Sequence, residues 1–246
     1  MFGKNKNKQI IFKEATKQAQ YLKNIPKPSS NTVPNWFKEQ ALFTDGSRNI
    51  NNFLKADHPV GATYKLCVPL TDSVTSGYTA TLPVDIYVKN ISKENSYIPR
   101  ISWNVDWEVL DNQNNEFLGN YPIPHGYTNI LFRWSLDWKI ETPSGYSSLI
   151  VHPFHQNDLP FFTVSALVDT DMFPNRLFLP FFIKDGFEGI IKEGTPIAQI
   201  FPIKREVWES SKGNYSDEDE FNINNLMKFN FIKAYKNKYW SKKDYR

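Results

Sequence analysis

From Tyr64 onward, apolar and polar residues alternate with a period of two. Tyr64-Lys65-Leu66-Cys67-Val68 alternates, and so does Thr81-Leu82-Pro83-Val84-Asp85-Ile86-Tyr87-Val88. Side chains two apart share a face only in an extended chain, so both segments read as strands. Residues 102–110, 130–140, 147–152, 161–169, 176–183 and 195–203 read the same way, with turn residues at 111–115, 142–145 and 184–186. Many short strands at this spacing predict a mainly β fold, a barrel or a sandwich. The two ends differ. Residues 9–24 place Ile11, Ala15, Ala19 and Leu22 on one helical face, and Pro26, Pro28 and residues 29–31 stop that helix. Pro34-Asn35-Trp36-Phe37-Lys38 reads as an anchor whose adjacent aromatics plug a groove on the main body. Residues 212–225 read as an acidic loop containing Asp217-Glu218-Asp219-Glu220. A helical pattern through Leu226, Phe229, Ile232 and Tyr235 follows over 225–239. The expected divisions are an N-terminal helix and arm over 1–62, a β domain over 63–208, and an acidic loop with a basic helical tail over 209–246.

Composition agrees with strands. Phe 19, Tyr 12 and Trp 7 make 15% of 246 residues aromatic, and flat rings fit a pleated, half-buried surface. Cys67 is the single cysteine, which excludes an intrachain disulfide framework and a cysteine-rich zinc site and fits a reducing compartment. No apolar run reaches the length of about 18 residues that a membrane span needs. The basic start is followed by an apolar run, residues 9–12, too short for a secretion signal. A soluble protein made in the cytoplasm is expected.

The net charge of +3 conceals an asymmetry. Residues 1–27 carry +6 and residues 226–246 carry +6, leaving −9 between them. Basic ends on an acidic body fit docking on something negative: nucleic acid, a membrane surface or the acidic face of another copy. The closing Tyr239-Trp240-Ser241-Lys242-Lys243 combines rings with charge, so Tyr239, Trp240, Lys242 and Lys243 join Trp36 and Phe37 as expected interaction residues.

Two segments echo each other: Trp103-Asn104-Val105-Asp106-Trp107 and Trp134-Ser135-Leu136-Asp137-Trp138. Read as strands, each sets two indoles on one face. Such rings form a platform for sugars or single-stranded bases, or fill one large core. Asp169 and Asp171, two apart, share a face on a strand and could hold Mg²⁺ or share a proton, or do nothing chemical at a strand end. His152, His155 and Asp158 would suffice for zinc if a loop folded them together. No Gly-rich phosphate loop and no Ser-His-Asp order is present.

Three segments, in order, resemble the dUTPase and dCTP-deaminase superfamily. Gly194-Thr195-Pro196-Ile197-Ala198-Gln199-Ile200 resembles its Gly-Asp-x-Ile-Ala-Gln-Leu strand. Leu167-Val168-Asp169-Thr170-Asp171 resembles its Val-Ile-Asp-x-Asp-Tyr segment, which carries the water-activating Asp and a Tyr beside the base. Pro143-Ser144-Gly145-Tyr146 resembles the Pro-x-Gly-Tyr strand that leads into an Arg-Ser phosphate motif, and Ser76-Gly77-Tyr78 is a weaker echo of Gly-Tyr-Asp. The resemblance implies a β-clip barrel and, if the chain is active, Mg²⁺-dependent nucleotide chemistry through Asp169 and Asp171.

The departures imply lost chemistry. Thr79 stands where the metal-holding Asp belongs, and His152-Pro153-Phe154 where Pro-Arg-Ser belongs. Met172 replaces the Tyr, leaving Phe173 as the available stacking ring, and the glycine-rich C-terminal arm is missing. Phosphoryl chemistry needs a metal bridge and fixed positive donors. Over nearly its whole length the chain also resembles an uncharacterised tailed-phage family, through Pro34–Lys38, Gly145-Tyr146-Ser147, Asp158-Leu159-Pro160-Phe161, Phe187-Glu188-Gly189-Ile190-Ile191 and Trp240-Ser241-Lys242-Lys243. That resemblance implies a phage source and no activity. Together with the lost site residues it leads to the expectation of a non-catalytic virion component, and the basic ends lead to partners that are other phage structural proteins or further copies of itself. A divergent pyrophosphatase, and a carbohydrate- or nucleic-acid-binding module, are the other expectations.

Overall fold

A computed structural model describes residues 8–46, 61–93, 96–224 and 235–246. Its residues form two compact units, Met1–Ser29 with Gly77–Arg205, and Ser30–Ser76 with Glu206–Arg246. These units cut the chain elsewhere than expected: residues 8–29 belong with the sheets, and residues 64–76 do not.

The first unit is mainly β. Its strands are β1 (Ile11–Glu14), β2 (Lys27–Pro28), β3 (Tyr78–Thr81), β4 (Ile86–Asn90), β5 (Pro99–Ser102), β6 (Leu110–Asn112) and β7 (Phe132–Ser135). They continue with β8 (Trp138–Glu141), β9 (Tyr146–Val151), β10 (Phe161–Thr163), β11 (Ala166–Val168), β12 (Phe178–Ile183), β13 (Gly189–Ile191) and β14 (Pro196–Lys204). Among the described residues they make four antiparallel sheets, ordered β11-β9-β14-β3-β2, β10-β12-β7-β6, β13-β4-β5 and β1-β8. β14 is the spine of the first, pairing with β9 from Gln199↔Val151 to Lys204↔Tyr146 and with β3 on its other side. Every segment that resembles the dUTPase superfamily lies on or beside this one sheet.

The core is aromatic at its centre. Trp134 on β7 is fully enclosed and stacks on Phe181 of β12, with ring centroids 3.5 Å apart and planes 3° from parallel. Phe161 meets both rings edge-on. The indole N–H donates to Thr163 Oγ1 at 3.1 Å, and that hydroxyl donates to the Ile197 carbonyl at 2.7 Å. A large ring is therefore buried with its one polar atom satisfied.

Several expected elements take another form. Residues 9–24 are not a helix. Ile11–Glu14 pairs with β8, and a 3-10 turn follows at Gln18–Tyr21. The buried Asp137 carboxylate accepts from Thr16 Oγ1 at 2.9 Å, which fixes that turn, while burial pushes its pKa up. Thr81–Val88 breaks because Pro83 has no N–H to give a ladder. Residues 102–110 turn between β5 and β6, and residues 130–140 divide into β7 and β8, which belong to different sheets. Residues 161–169 divide likewise into β10 and β11.

The second unit holds short helices α1 (Asn35–Glu39) and α2 (Val68–Thr75). The expected strand over 64–68 is instead a 3-10 turn, Tyr64–Leu66, that leads into α2. Thr63 caps the turn by accepting the Lys65 N–H, and a proline occupies the first turn of α2, where a missing N–H costs nothing. The acidic stretch is also helical, over residues 217–224. Ser216 Oγ accepts the Asp219 N–H at 3.2 Å, and the carboxylates sit where the helix dipole favours them. Most of the expected 225–239 helix lies outside the described residues; its described end, Tyr235–Tyr239, is a π-turn. No helix among the described residues is long and apolar enough to cross a membrane.

Candidate functional site

At one end of the five-stranded sheet, three chain segments meet around a cation. β11 stops at Val168, so Asp169 and Asp171 lie on the turn that follows it and not on a strand; the Met172 and Phe173 N–H groups both close on the Asp169 carbonyl. Arg205, the residue after β14, reaches both carboxylates. Its Nη1 lies 3.2 Å from Asp169 Oδ1 and 2.9 Å from Asp171 Oδ1, and its Nη2 completes a two-pronged pair with Asp171 Oδ2. The tight turn before β9 supplies the rest: the Gly145 N–H donates to Asp171 Oδ2 at 2.8 Å and Ser147 Oγ to Asp169 Oδ1 at 2.6 Å. The Arg205 N–H donates back to the Gly145 carbonyl at 2.8 Å. Lys8 lies over the Tyr146 ring, 4.6 Å from its centroid.

This geometry decides what the pair can do. The Asp171 side chain is 5% exposed, with both oxygens occupied. The guanidinium hydrogen bonds, helped by the Gly145 N–H, hold its pKa down at about 2. A general base works best with a pKa near the working pH, and Asp171 lies far below that. Asp169 is 63% exposed and keeps only Oδ2 without a partner among the described residues. The stabilising charge is Arg205 itself, in the place a cation would take between the two carboxylates.

A pH dependence follows. Because the folded-state pKa of Asp171 is depressed from 3.8 to about 2, its contribution to stability is whole above the ordinary carboxylate range. It is lost as pH falls through the interval between those values. Urea denaturation at a series of pH values is expected to show a steeper acid loss for the native chain than for Asp171→Asn.

The other expected residues are dispersed. His152 Nδ1 accepts the Thr163 N–H at 3.3 Å and Nε2 faces the Gln156 carbonyl at 3.3 Å, so both ring nitrogens are committed; burial lowers its pKa. His155 sits at φ 59° and Asp158 is exposed. Among the described residues no three His, Cys, Asp or Glu side chains are grouped to hold a metal, and the zinc expectation on these residues is set aside. The aromatic platform does not form either. Trp134 and Trp138 are buried on separate sheets, while Trp103 and Trp107 occupy a turn and pack partly against the core, with Trp103 Nε1 bonded to the Trp107 carbonyl at 2.9 Å. Phe173 remains 40% exposed beside the clamp. Where the resemblance places phosphate donors, Phe154 packs against Phe201 with centroids 5.7 Å apart, and its N–H donates to Gln199 Oε1. Thr79, in the metal-holding position, is buried and donates to Ser29 Oγ at 2.8 Å.

Trp36 and Phe37 lie on α1 rather than in a loop. Phe37 is buried within the second unit, and Lys65 Nζ caps the Phe37 and Lys38 carbonyls; Trp36 stands at the surface, edge-on to Phe37. In the same unit, Trp240 Nε1 and Lys243 Nζ each donate to Asp72 Oδ2 at 2.8 Å, so this part of the tail docks on α2. Tyr239 and Lys242 face solvent. Arg205 is the residue that sequence reasoning missed. Its signal was its position, a cation directly after the strand that pairs with the Gly145-Tyr146 segment.

No protein-family model and no curated protein matches the chain. Among solved structures, a mutant dUTPase of Staphylococcus bacteriophage 80alpha with dUpNHpp is similar over 54% of this chain and 89% of that chain, at 14% identity and a TM-score of 0.26. This is a distant structural likeness between a mainly β chain and a phage dUTPase, and it carries no statement about activity.

Proposed function

We propose that the chain is a non-catalytic structural or interaction protein of a tailed-phage virion, built on a degenerate dUTPase-like β-clip barrel. The observation that carries the reading is the Arg205 clamp. In the segment where a dUTPase carries its water-activating carboxylate, Asp169 and Asp171 are here tied to a guanidinium, a backbone N–H and a serine hydroxyl. The barrel part of the reading is supported by the gathering of the resembling segments around the β11-β9-β14-β3 sheet. Its non-catalytic part is supported by Phe154 and Thr79 packing where ligands for phosphate and metal would stand.

Purified protein given dUTP or dCTP with Mg²⁺ is expected to release no pyrophosphate above the uncatalysed background, and mass spectrometry of purified particles is expected to find the chain. Mg²⁺-dependent hydrolysis that Asp169→Asn abolishes would replace this reading with that of a divergent pyrophosphatase.

A further inference from the structure

The first unit carries an open groove of about 460 Å³ between β5 and β6, lined by Ile98, Ile101, Trp103, Leu110, Ile130 and Phe132. Both walls are sheet edges, because among the described residues β5 pairs only with β4 and β6 only with β7. Ile91 N–H donates to the Ile98 carbonyl, and by antiparallel alternation the Ile101 N–H and C=O point away from β4. Gln113 N–H donates to Leu131 O and Ser135 N–H to Val109 O, so Leu110 and Asn112 present their backbone groups away from β7. An apolar floor between two unpaired edges fits an extended peptide, whose backbone adds to an edge while alternate side chains fill pockets. Arg100, at the rim, has no ion-pair partner among the described residues, so the groove favours an acidic occupant.

The chain contains such a peptide. Glu206-Val207-Trp208-Glu209 has no regular structure, and Val207 is 93% and Trp208 84% exposed. An indole this open leaves its large apolar surface in water. Glu209 likewise has no ion-pair partner among the described residues. We propose that the β5–β6 groove receives residues 206–209 of a second copy of this chain, with Trp208 seated on the apolar floor and Glu209 meeting Arg100. The inference rests on the structural-protein reading and names its partner. A buried Trp contributes about 150–250 Å², so even a reciprocal exchange falls below the roughly 1,200 Å² of a stable pairwise interface. Association is therefore weak between two copies and strong only where many copies are held together.

Sedimentation velocity on the full chain, across a concentration series through the micromolar range, tests this. The parent chain is expected to self-associate reversibly, and Trp208→Ala to weaken association by roughly thirtyfold, the scale of an interface anchor. Arg100→Glu is expected to weaken it and Glu209→Arg to restore it in the double variant; circular dichroism checks that each variant is folded. A parent that stays monomeric at every concentration overturns the proposal, as does a Trp208→Ala chain that sediments like the parent. A double variant no better than Arg100→Glu alone overturns it too. Particle mass spectrometry reads the virion assignment separately: a chain found in particles but monomeric in solution loses only the groove assignment.

Discussion

Replacing Trp134 with alanine is expected to cost about 3–5 kcal/mol of stability, the largest effect of any single substitution considered for this chain. The ring is fully enclosed, stacked on Phe181 and crossed by Phe161, so its removal opens a cavity that β7 and β12 cannot close without breaking their register. A domain of this kind has about 5–15 kcal/mol in total, so the variant should approach unfolding at ambient temperature. Trp134→Phe keeps a stacking ring and loses the bond to Thr163 Oγ1, a cost of about 1–2 kcal/mol. Urea denaturation of the three proteins separates them. Equal midpoints for Trp134→Ala and the parent would mean that this ring is not the centre of the core.

Gly77→Ala is the second large effect. Gly77 has φ +77°, where a side chain costs about 1–2 kcal/mol. A methyl group there would also lie 2.5 Å from the Ile200 carbonyl oxygen and 3.0 Å from the Phe201 ring. That carbonyl belongs to β14, so relief requires β3 to move off the spine of the five-stranded sheet, adding about 1–3 kcal/mol. Gly145→Ala is the control, since Gly145 has φ +83° with nothing within 4 Å of the added carbon. It should show the backbone cost alone. If the two variants melt together, the contact at Gly77 is not tight.

β9 and β14, each paired on both sides, are the strands that the sequence revealed most directly. Each end of both falls one residue from the expected 147–152 and 195–203, because their apolar and extended pattern runs unbroken between turn residues. The failures lie where a tertiary partner or a capping group overrides local spacing. Ile11, Ala15, Ala19 and Leu22 fall at helical intervals, yet pairing with β8 and the reach of Thr16 to Asp137 extend the first part of that segment. The echo between 103–107 and 134–138 is one of letters, since the first lies in a turn and the second spans two sheets. Asp169 and Asp171 were legible as a pair. Their neutralisation was not, because Arg205 is distant in sequence and joins them only through the β9–β14 register.

Docking of Trp240 and Lys243 on Asp72 also has a consequence in time. The bonded partners Asp72 and Trp240 are 168 positions apart. At about 5–20 residues per second, a ribosome delivers the second roughly 8–34 s after the first. Strands β3 to β14 are all synthesised in that interval, so α2 must wait without its bond to Trp240 while the strands that follow it fold. A stalled or slowed translation complex should therefore hold a formed β unit with α2 still open to protease, and closure should come only once Trp240 has left the exit tunnel.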